Sequence, residues 1–300
     1  MDISMLTEAA LRQTADPSHT GIPVDTALPN LMFIRQDQST PFQPMIYDAV
    51  VCLTLQGAKE TTNGSHSVFF SSGQSLIVSH DLTVMARVTQ ATRRAPYLAL
   101  ILRLDLTLLR GLYDRVGGGA QDDPGCALAV GGMDPPLVDA LARYVALLDD
   151  PTGAEVLGPL VLQEIHYRLL IAPNGCMLRG LLDRDSNPSR IARAIARLRQ
   201  DYRQALSVSI LAGAAGMSAS SFHEHFKQIT GTTPLQYQKN LRLIEARRLL
   251  ARADQGVSQV AFDVGYESPA QFSREYARKF GVPPSHHLAY PLFAVAEPVG

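Results

Sequence analysis

Two stretches near the C-terminal end set polar and charged side chains against aromatic ones at helical spacing. In the first, Ser220, Ser221, His223, Glu224, Lys227 and Gln228 fall opposite Phe222, Phe226 and Ile229. In the second, Ala270, Gln271, Ser273, Arg274, Arg278 and Lys279 fall opposite Phe272, Tyr276 and Phe280. Steps of three and four residues make one helical face, so each stretch predicts a helix with an apolar back and a polar front. The front carries groups that bond base edges and cations that neutralise phosphates, and a major groove admits such a helix.

The residues before each stretch repeat as well. Val208, Ser209, Ala212 and Gly216 match Val257, Ser258, Ala261 and Gly265; after a one-residue shift Phe222, Gly231 and Pro234 match Phe272, Gly281 and Pro284. Each copy of about 50 residues reads as a helix-turn-helix. A short helix carries a small residue, Ala212 or Ala261, where a second helix crosses. Gly216 or Gly265 ends it, since that position favours positive φ. Ser218 or Ser268 then caps the next helix. Between the copies, 234–254 predicts one long helix with Leu235, Leu241, Ile244 and Leu249 or Leu250 inward and Arg242, Arg247, Arg248 and Arg252 on a basic outer face. A spacer of this length holds two reading helices about 34 Å apart, one turn of DNA. His223 and His225 have no Cys or acidic partner at ligand spacing and read as groove-side or half-buried residues.

Charge supports a nucleic-acid partner. The formal net charge is −1, yet residues 189–282 carry 14 Lys+Arg against 7 Asp+Glu, while residues 1–188 carry 13 against 20. A basic third on a near-neutral chain is the electrostatic footprint of a tethered DNA reader. The 300 residues, 46% hydrophobic, suit about two globular domains. Cys52, Cys126 and Cys176 are too widely spaced for a disulfide framework or zinc site, so a reducing, cytoplasmic setting is expected. The start lacks signal-peptide character, and no apolar run is long enough to span a membrane.

The front half is different. Residues 1–45 show no sustained period and predict an irregular arm with a short helix near 4–14. Residues 46–105 hold short runs rich in Val, Ile, Leu, Tyr and Phe, punctuated by Gly57, Asn63-Gly64 and Ser72-Gly73, which predict a small barrel or sandwich. Residues 106–185 turn helical, with amphipathic helices over 134–150, capped by Asp134, and 155–172. These form a packed hairpin or a dimer surface. The polar break at 183–188 is the expected linker, and 287–300 a tail.

A barrel admits a ligand, and two sets of residues are candidates. Tyr47 and Cys52 lie on the predicted strands, with Cys52 either an electrophile trap or a small buried hydrophobe. Arg93-Arg94 with Arg87 suit a carboxylate or phosphate, including a cyclic dinucleotide, or else line a solvated turn. A metal-dependent cupin enzyme with an appended helical domain is the rival reading. Its ligands would come from His66, His80 and Glu60, which include no HxH pair. No nucleophile-elbow or phosphate-loop motif occurs, the glycines at 117–119 reading as a loop, and no cofactor or catalytic residue is indicated. A helical scaffold that binds another protein is a third class.

The matches SxxxFxxxFKxxxGxxP at 218–234, LRLIEARRLL at 241–250 and VSQVAFDVGYESPAQFSREYARKFGVPP at 257–284 resemble the AraC/XylS family of bacterial transcription regulators. The resemblance implies an α+β chain with a seven-helix DNA-binding domain over 186–286 bound to double-stranded promoter DNA. By position it implies base readers Ser220, His223 and Glu224 in the first unit and Ala270, Ser273 and Arg274 in the second. Lys227 and Arg278 would be phosphate contacts. Glu224 departs from the family, whose first reading helix often offers Arg. VVCLTLQGAK (50–59), SLIVSHDLTV (75–84) and PYLALILRLD (96–105) resemble the subgroup with a cupin-like barrel. A ligand-responsive activator working as a homodimer with RNA polymerase is the expectation.

Overall fold

The structure, a computed structural model, describes residues 3–116, 127–132, 134–252 and 255–286. Cys126, the glycines at 117–119 and the expected tail at 287–300 lie outside the described residues.

Helix α1 (Ser4–Gln13) fills the predicted position and buries Leu6, Ala9 and Ala10. The strands follow: β1 (Val24–Asp25), β2 (Leu31–Gln36), β3 (Gln43–Tyr47), β4 (Val50–Gln56), β5 (Ala58–Thr62), β6 (Ser67–Ser71), β7 (Gln74–Val78), β8 (Leu82–Gln90), β9 (Tyr97–Arg103) and, after helix α2 (Leu106–Val116), β10 (Leu128–Gly132). All pair antiparallel in two sheets, ordered β1-β2-β9-β4-β7-β10 and β3-β8-β5-β6. The sheets face each other as a flattened barrel.

Three strands lie where none was expected. The supposed arm contains β1 and β2, and the helical extension contains β10. The reason for β2 is physical. Leu31, Met32, Phe33 and Ile34 are all buried, so the strand has no polar face and shows no alternation. Phe33 faces the helices and Ile34 the barrel interior. Strand β10 is a short edge added to β7, ending in Gly131-Gly132.

Helices α3 (Pro135–Ala146), α4 (Pro151–Ile171) and α5 (Cys176–Leu182) cover the outer face of the larger sheet. Asp134 stands at the cap position of α3 without a side-chain bond, whereas Asp150 accepts from the Gly153 amide at the start of α4. Helices α3 and α4 pack as a hairpin tied by Arg143 to Glu164 at 2.7 Å.

At 183–186 the chain turns, and the Ser186 hydroxyl caps α6 (Asn187–Gln200). Then come α7 (Val208–Ala215), α8 (Ala219–Thr230), α9 (Pro234–Ala251), α10 (Val257–Asp263), α11 (Pro269–Phe280) and a 3₁₀ turn at Pro284–His286. The core of α6–α9 is continuous with the barrel interior, while α10 and α11 close a smaller core against the second half of α9.

Candidate nucleic-acid interface

Both turns have the expected chemistry. Gly216 and Gly265 adopt φ of +64° and +90°, a region that side chains with a Cβ enter at a cost. Ser218 and Ser268 accept from the amides of Ser221 and Gln271 and open α8 and α11. Ala212 and Ala261 are buried at the helix crossings. Phe222, Phe226 and Ile229 are buried on the back of α8, and Phe272 and Tyr276 on the back of α11, with Phe280 half-buried.

The fronts are open. Ser220, His223, Glu224 and Lys227 are exposed on α8, and Ser221 is half-buried. On α11, Ala270, Gln271, Arg274 and Arg278 are exposed and Ser273 is half-buried. His225 faces inward enough for its Nε2 to meet Asn187 Nδ2 at 3.1 Å.

Lys279, read as outward, turns back instead. Its amine donates to Asn240 Oδ1 on α9 at 2.9 Å, and burial pushes its pKa down to about 8. Of the basic outer face expected on α9, Arg252 is exposed, Arg242 and Arg248 are half-buried, and Arg247 turns inward. Arg247 is buried with its guanidinium 5.2 Å from the Phe280 ring centre. Arg242 donates to the carbonyls of Tyr202, Arg203 and Gln204, and burial lowers its pKa. Arg248 pairs with Glu245. Helix α9 runs between both units and the barrel, so Arg247 serves packing and Arg242 caps carbonyls, while Lys239 and Arg248 pair with Glu275 and Glu245. Leu235, expected inward, is 62% exposed.

The barrel meets α6 and α9 through polar contacts the sequence did not announce. Arg199 of α6 lies 2.6 Å from both Asp48 and Asp81, on two barrel loops. Burial raises the Asp81 pKa against the pull of Arg199, and the two carboxylates hold the Arg199 guanidinium protonated despite its burial. The Tyr237 hydroxyl donates to Asp81 O, and Asn240 Nδ2 reaches Thr83 Oγ1. His80 Nε2 meets Pro188 O at 3.0 Å, and burial depresses its pKa to about 4. A carbonyl only accepts, so Nε2 carries the proton and Nδ1 accepts from Ser79.

The effector candidates divide. Tyr47 and Cys52 border the barrel interior. Burial pushes the Cys52 thiol up, opposed by the Lys59 charge. Arg87 is on the outside, 2.7 Å from Glu60 and stacked on Phe42, and Arg93 and Arg94 are exposed in the β8–β9 turn. The two candidate sets therefore lie apart, the arginines outside the barrel interior that Tyr47 and Cys52 border. Adjacent β-strand residues face opposite ways, so Arg87 points away from Ala86 and Val88. His66, His80 and Glu60 are likewise apart, each with its own partner. Among the described residues no three His, Cys, Asp or Glu side chains gather as metal ligands would.

Lys59 was missed. It is 5% exposed, within the barrel wall, with its amine 5.3 Å from the Tyr47 ring centre. Strand alternation resumed after Gly57 is the signal that would have placed it inward.

Residues 27–177, half of the chain, match the family described as AraC-type transcriptional regulator N-terminus, and residues 211–289 match a helix-turn-helix domain. The chain belongs to the AraC-type transcriptional regulators. That membership sets the cupin-enzyme alternative aside. Among its relatives, the HTH-type transcriptional activator RhaS of Escherichia fergusonii is 30% identical over 154 residues, 51% of this chain and 54% of RhaS. The HTH-type transcriptional regulator ExsA of Pseudomonas aeruginosa is 24% identical over 190 residues, 62% of this chain and 68% of ExsA. The chain thus spans about half the length of the RhaS relative it matches. Unsaturated fatty acid-bound ToxT from Vibrio cholerae superposes with a TM-score of 0.57 at 13% identity, covering 90% of this chain and 96% of ToxT. At that identity the likeness is one of fold. Among the described residues no helix is long and apolar enough to cross a membrane.

Proposed function

We propose that the chain is a sequence-specific, DNA-binding transcription regulator of promoter duplex. The observation that carries this reading is the pair of exposed polar fronts on α8 and α11, each backed by a buried aromatic stripe. Ser220, His223 and Glu224 read bases in one major groove, and Ala270, Ser273 and Arg274 in the next. Gln271 and Ser221 support those contacts, and Lys227 and Arg278 contact phosphates. The 18 residues of α9, about 27 Å long, set the separation. Phosphate contacts supply salt-dependent affinity and base contacts supply specificity.

The test is a gel-shift titration of the whole chain against promoter fragments selected from random sequence. Arg274→Glu loses a base contact and adds repulsion, and weakens binding by roughly 100-fold or more with the fold intact. Unchanged affinity overturns the reading.

A small molecule bound in the barrel biases the placement of the DNA-binding units. The ToxT structure with a bound unsaturated fatty acid supports control of this kind. Relatives named as activators, RhaS and the virulence regulon activator VirF, support activation through contact with RNA polymerase in the cytoplasm. A homodimer forms through α4, where Val156, Leu157, Leu160, Tyr167 and Ile171 are exposed along one side. Sedimentation of Leu160→Arg as a monomer, with the wild type dimeric, checks this.

A further inference from the structure

On α11 one polar side chain of the reading front is already held from behind. Glu275 lies one helical turn beyond Gln271, with its side chain only 12% exposed. Three groups donate to its carboxylate. Lys239 of α9 reaches Oε1 at 2.9 Å, the Tyr266 hydroxyl in the turn reaches Oε2 at 2.8 Å, and Gln271 Nε2 reaches Oε1 at 3.3 Å. The Tyr266 ring is fixed in its turn, 5.4 Å from the Phe272 ring and 5.9 Å from the Arg242 guanidinium.

An ionised carboxylate only accepts, so the Gln271 amide meets Glu275 through its NH2 group and never through its oxygen. The opposite orientation would set two acceptors against each other. Which way round the amide stands is therefore decided before DNA is present. One N–H is spent on Glu275. The carbonyl oxygen and the second N–H remain, on a side chain that is exposed.

The first unit has no such clamp. Met217, Ser221 and His225 hold the positions that Tyr266, Gln271 and Glu275 hold in the second, and His225 meets Asn187 of α6 at 3.1 Å. A device present in one copy and missing from the other is not a requirement of the helix-turn-helix scaffold.

The major-groove code says what the held amide fits. Adenine presents the N6 donor beside the N7 acceptor, which one carbonyl oxygen and one N–H match together. Guanine presents two acceptors, N7 and O6, and asks for two donors. A freely turning glutamine supplies two N–H groups; Gln271, with one already bonded, does not.

We propose that Glu275 is a positioning residue for base choice: it holds the Gln271 amide so that Gln271 reads adenine in the groove entered by α11 and rejects guanine. The proposal rests on the regulator reading and deepens it.

The experiment selects bound duplexes from random sequence with the full chain as wild type, Gln271→Ala, Glu275→Gln and the double variant. Gel shifts at several salt concentrations follow. The wild type favours adenine by roughly tenfold or more at one position. Gln271→Ala abolishes the preference at that position alone. Glu275→Gln lowers it to about threefold or less and admits guanine, because a glutamine there both donates and accepts and leaves Gln271 either way round. In the Gln271→Ala background Glu275→Gln changes nothing further at that position. Preferences elsewhere in the site persist in every variant. A uniform change of affinity across all sequences, with the adenine preference intact in Glu275→Gln, overturns the proposal. If Glu275→Gln fails to fold, the neutral pair Lys239→Gln with Glu275→Gln, which leaves no cation unpaired, decides by the same readout. Enrichment of no sequence by the wild type removes the regulator reading and this proposal with it. Enrichment without an adenine position that depends on Gln271 overturns this proposal alone.

Discussion

Phe222 and Phe226 of the first helix-turn-helix unit share a core with the barrel, alongside Ile34, Phe70 and Val88. Phe272 and Tyr276 of the second unit sit in a separate cluster with Leu243, Ala246, Val260, Val264 and Tyr266, which holds no barrel residue. The turns differ in the same sense. An added Cβ at Gly216 would meet nothing within 4 Å, whereas at Gly265 it would sit 2.2 Å from the Arg203 carbonyl oxygen. That carbonyl belongs to the loop between α6 and α7, which Arg242 holds from α9. Two copies of one local plan are thus supported by different means. The first gains rigidity from a whole domain and offers Glu224 among its readers. The second has a small core and a clamped turn, and offers Arg274 and Arg278. The barrel reaches the second unit through α9, by way of Thr83, Asn240 and Lys279.

The sharpest way to break this comparison is to hollow each core. Phe222→Ala and Phe272→Ala each cost about 3–5 kcal/mol. Phe222→Ala lowers hydrogen-exchange protection in the barrel strands as well as in α8, whereas Phe272→Ala exposes α10 and α11 and leaves the barrel protected. Equal loss in the barrel from both would make the two units one cooperative block.

Acid loads the barrel side of the first unit through His80. His80 has its folded pKa depressed to about 4 from an ordinary value near 6.5, so the unfolded chain binds the extra proton more readily. Its contribution is present above about pH 6.5 and is lost as pH falls toward 4, a difference of about 3 kcal/mol. Denaturant melts at pH 7 and pH 4.5 should show the loss in wild type and a flatter profile in His80→Gln.

The turn glycines test the clamp. Gly265→Ala costs about 2 kcal/mol or more, from positive φ together with the Arg203 contact, and Gly216→Ala only about 1 kcal/mol from φ alone. Thermal melts of both variants check the order. The smallest effect is at the reading face of the first unit: Glu224→Gln relieves repulsion from phosphate and strengthens operator binding by on the order of threefold. Lys227→Gln weakens it and lowers the salt slope by about one.

The duplicated units were legible because their signals are local. Ser218 caps within three residues, Gly216 terminates within one turn, and Phe222 with Phe226 marks a face by spacing alone. Most barrel strands were legible from alternation and turn residues. Strand β2 was not, since burial on both faces erases alternation, and β10 was too short to stand out. Arg247 and Lys279 misled because a cation on an isolated helix points to water, and only the neighbouring helices turn these two inward.

Composition and spacing by themselves determined that this chain carries two helix-turn-helix units behind a strand-rich half, with an apolar back and a polar front on each reading helix. Periodicity and capping depend on neighbours within about four residues, so they survive without any knowledge of the fold. Only the tertiary structure decided that Arg199 would meet Asp48 and Asp81, that α9 would turn Arg242 and Arg247 inward, and that Lys59 would lie over the Tyr47 and Tyr97 rings inside the barrel. Those partners lie far apart along the chain, and what a charged group costs or stabilises depends on what surrounds it once the sheets and helices have closed.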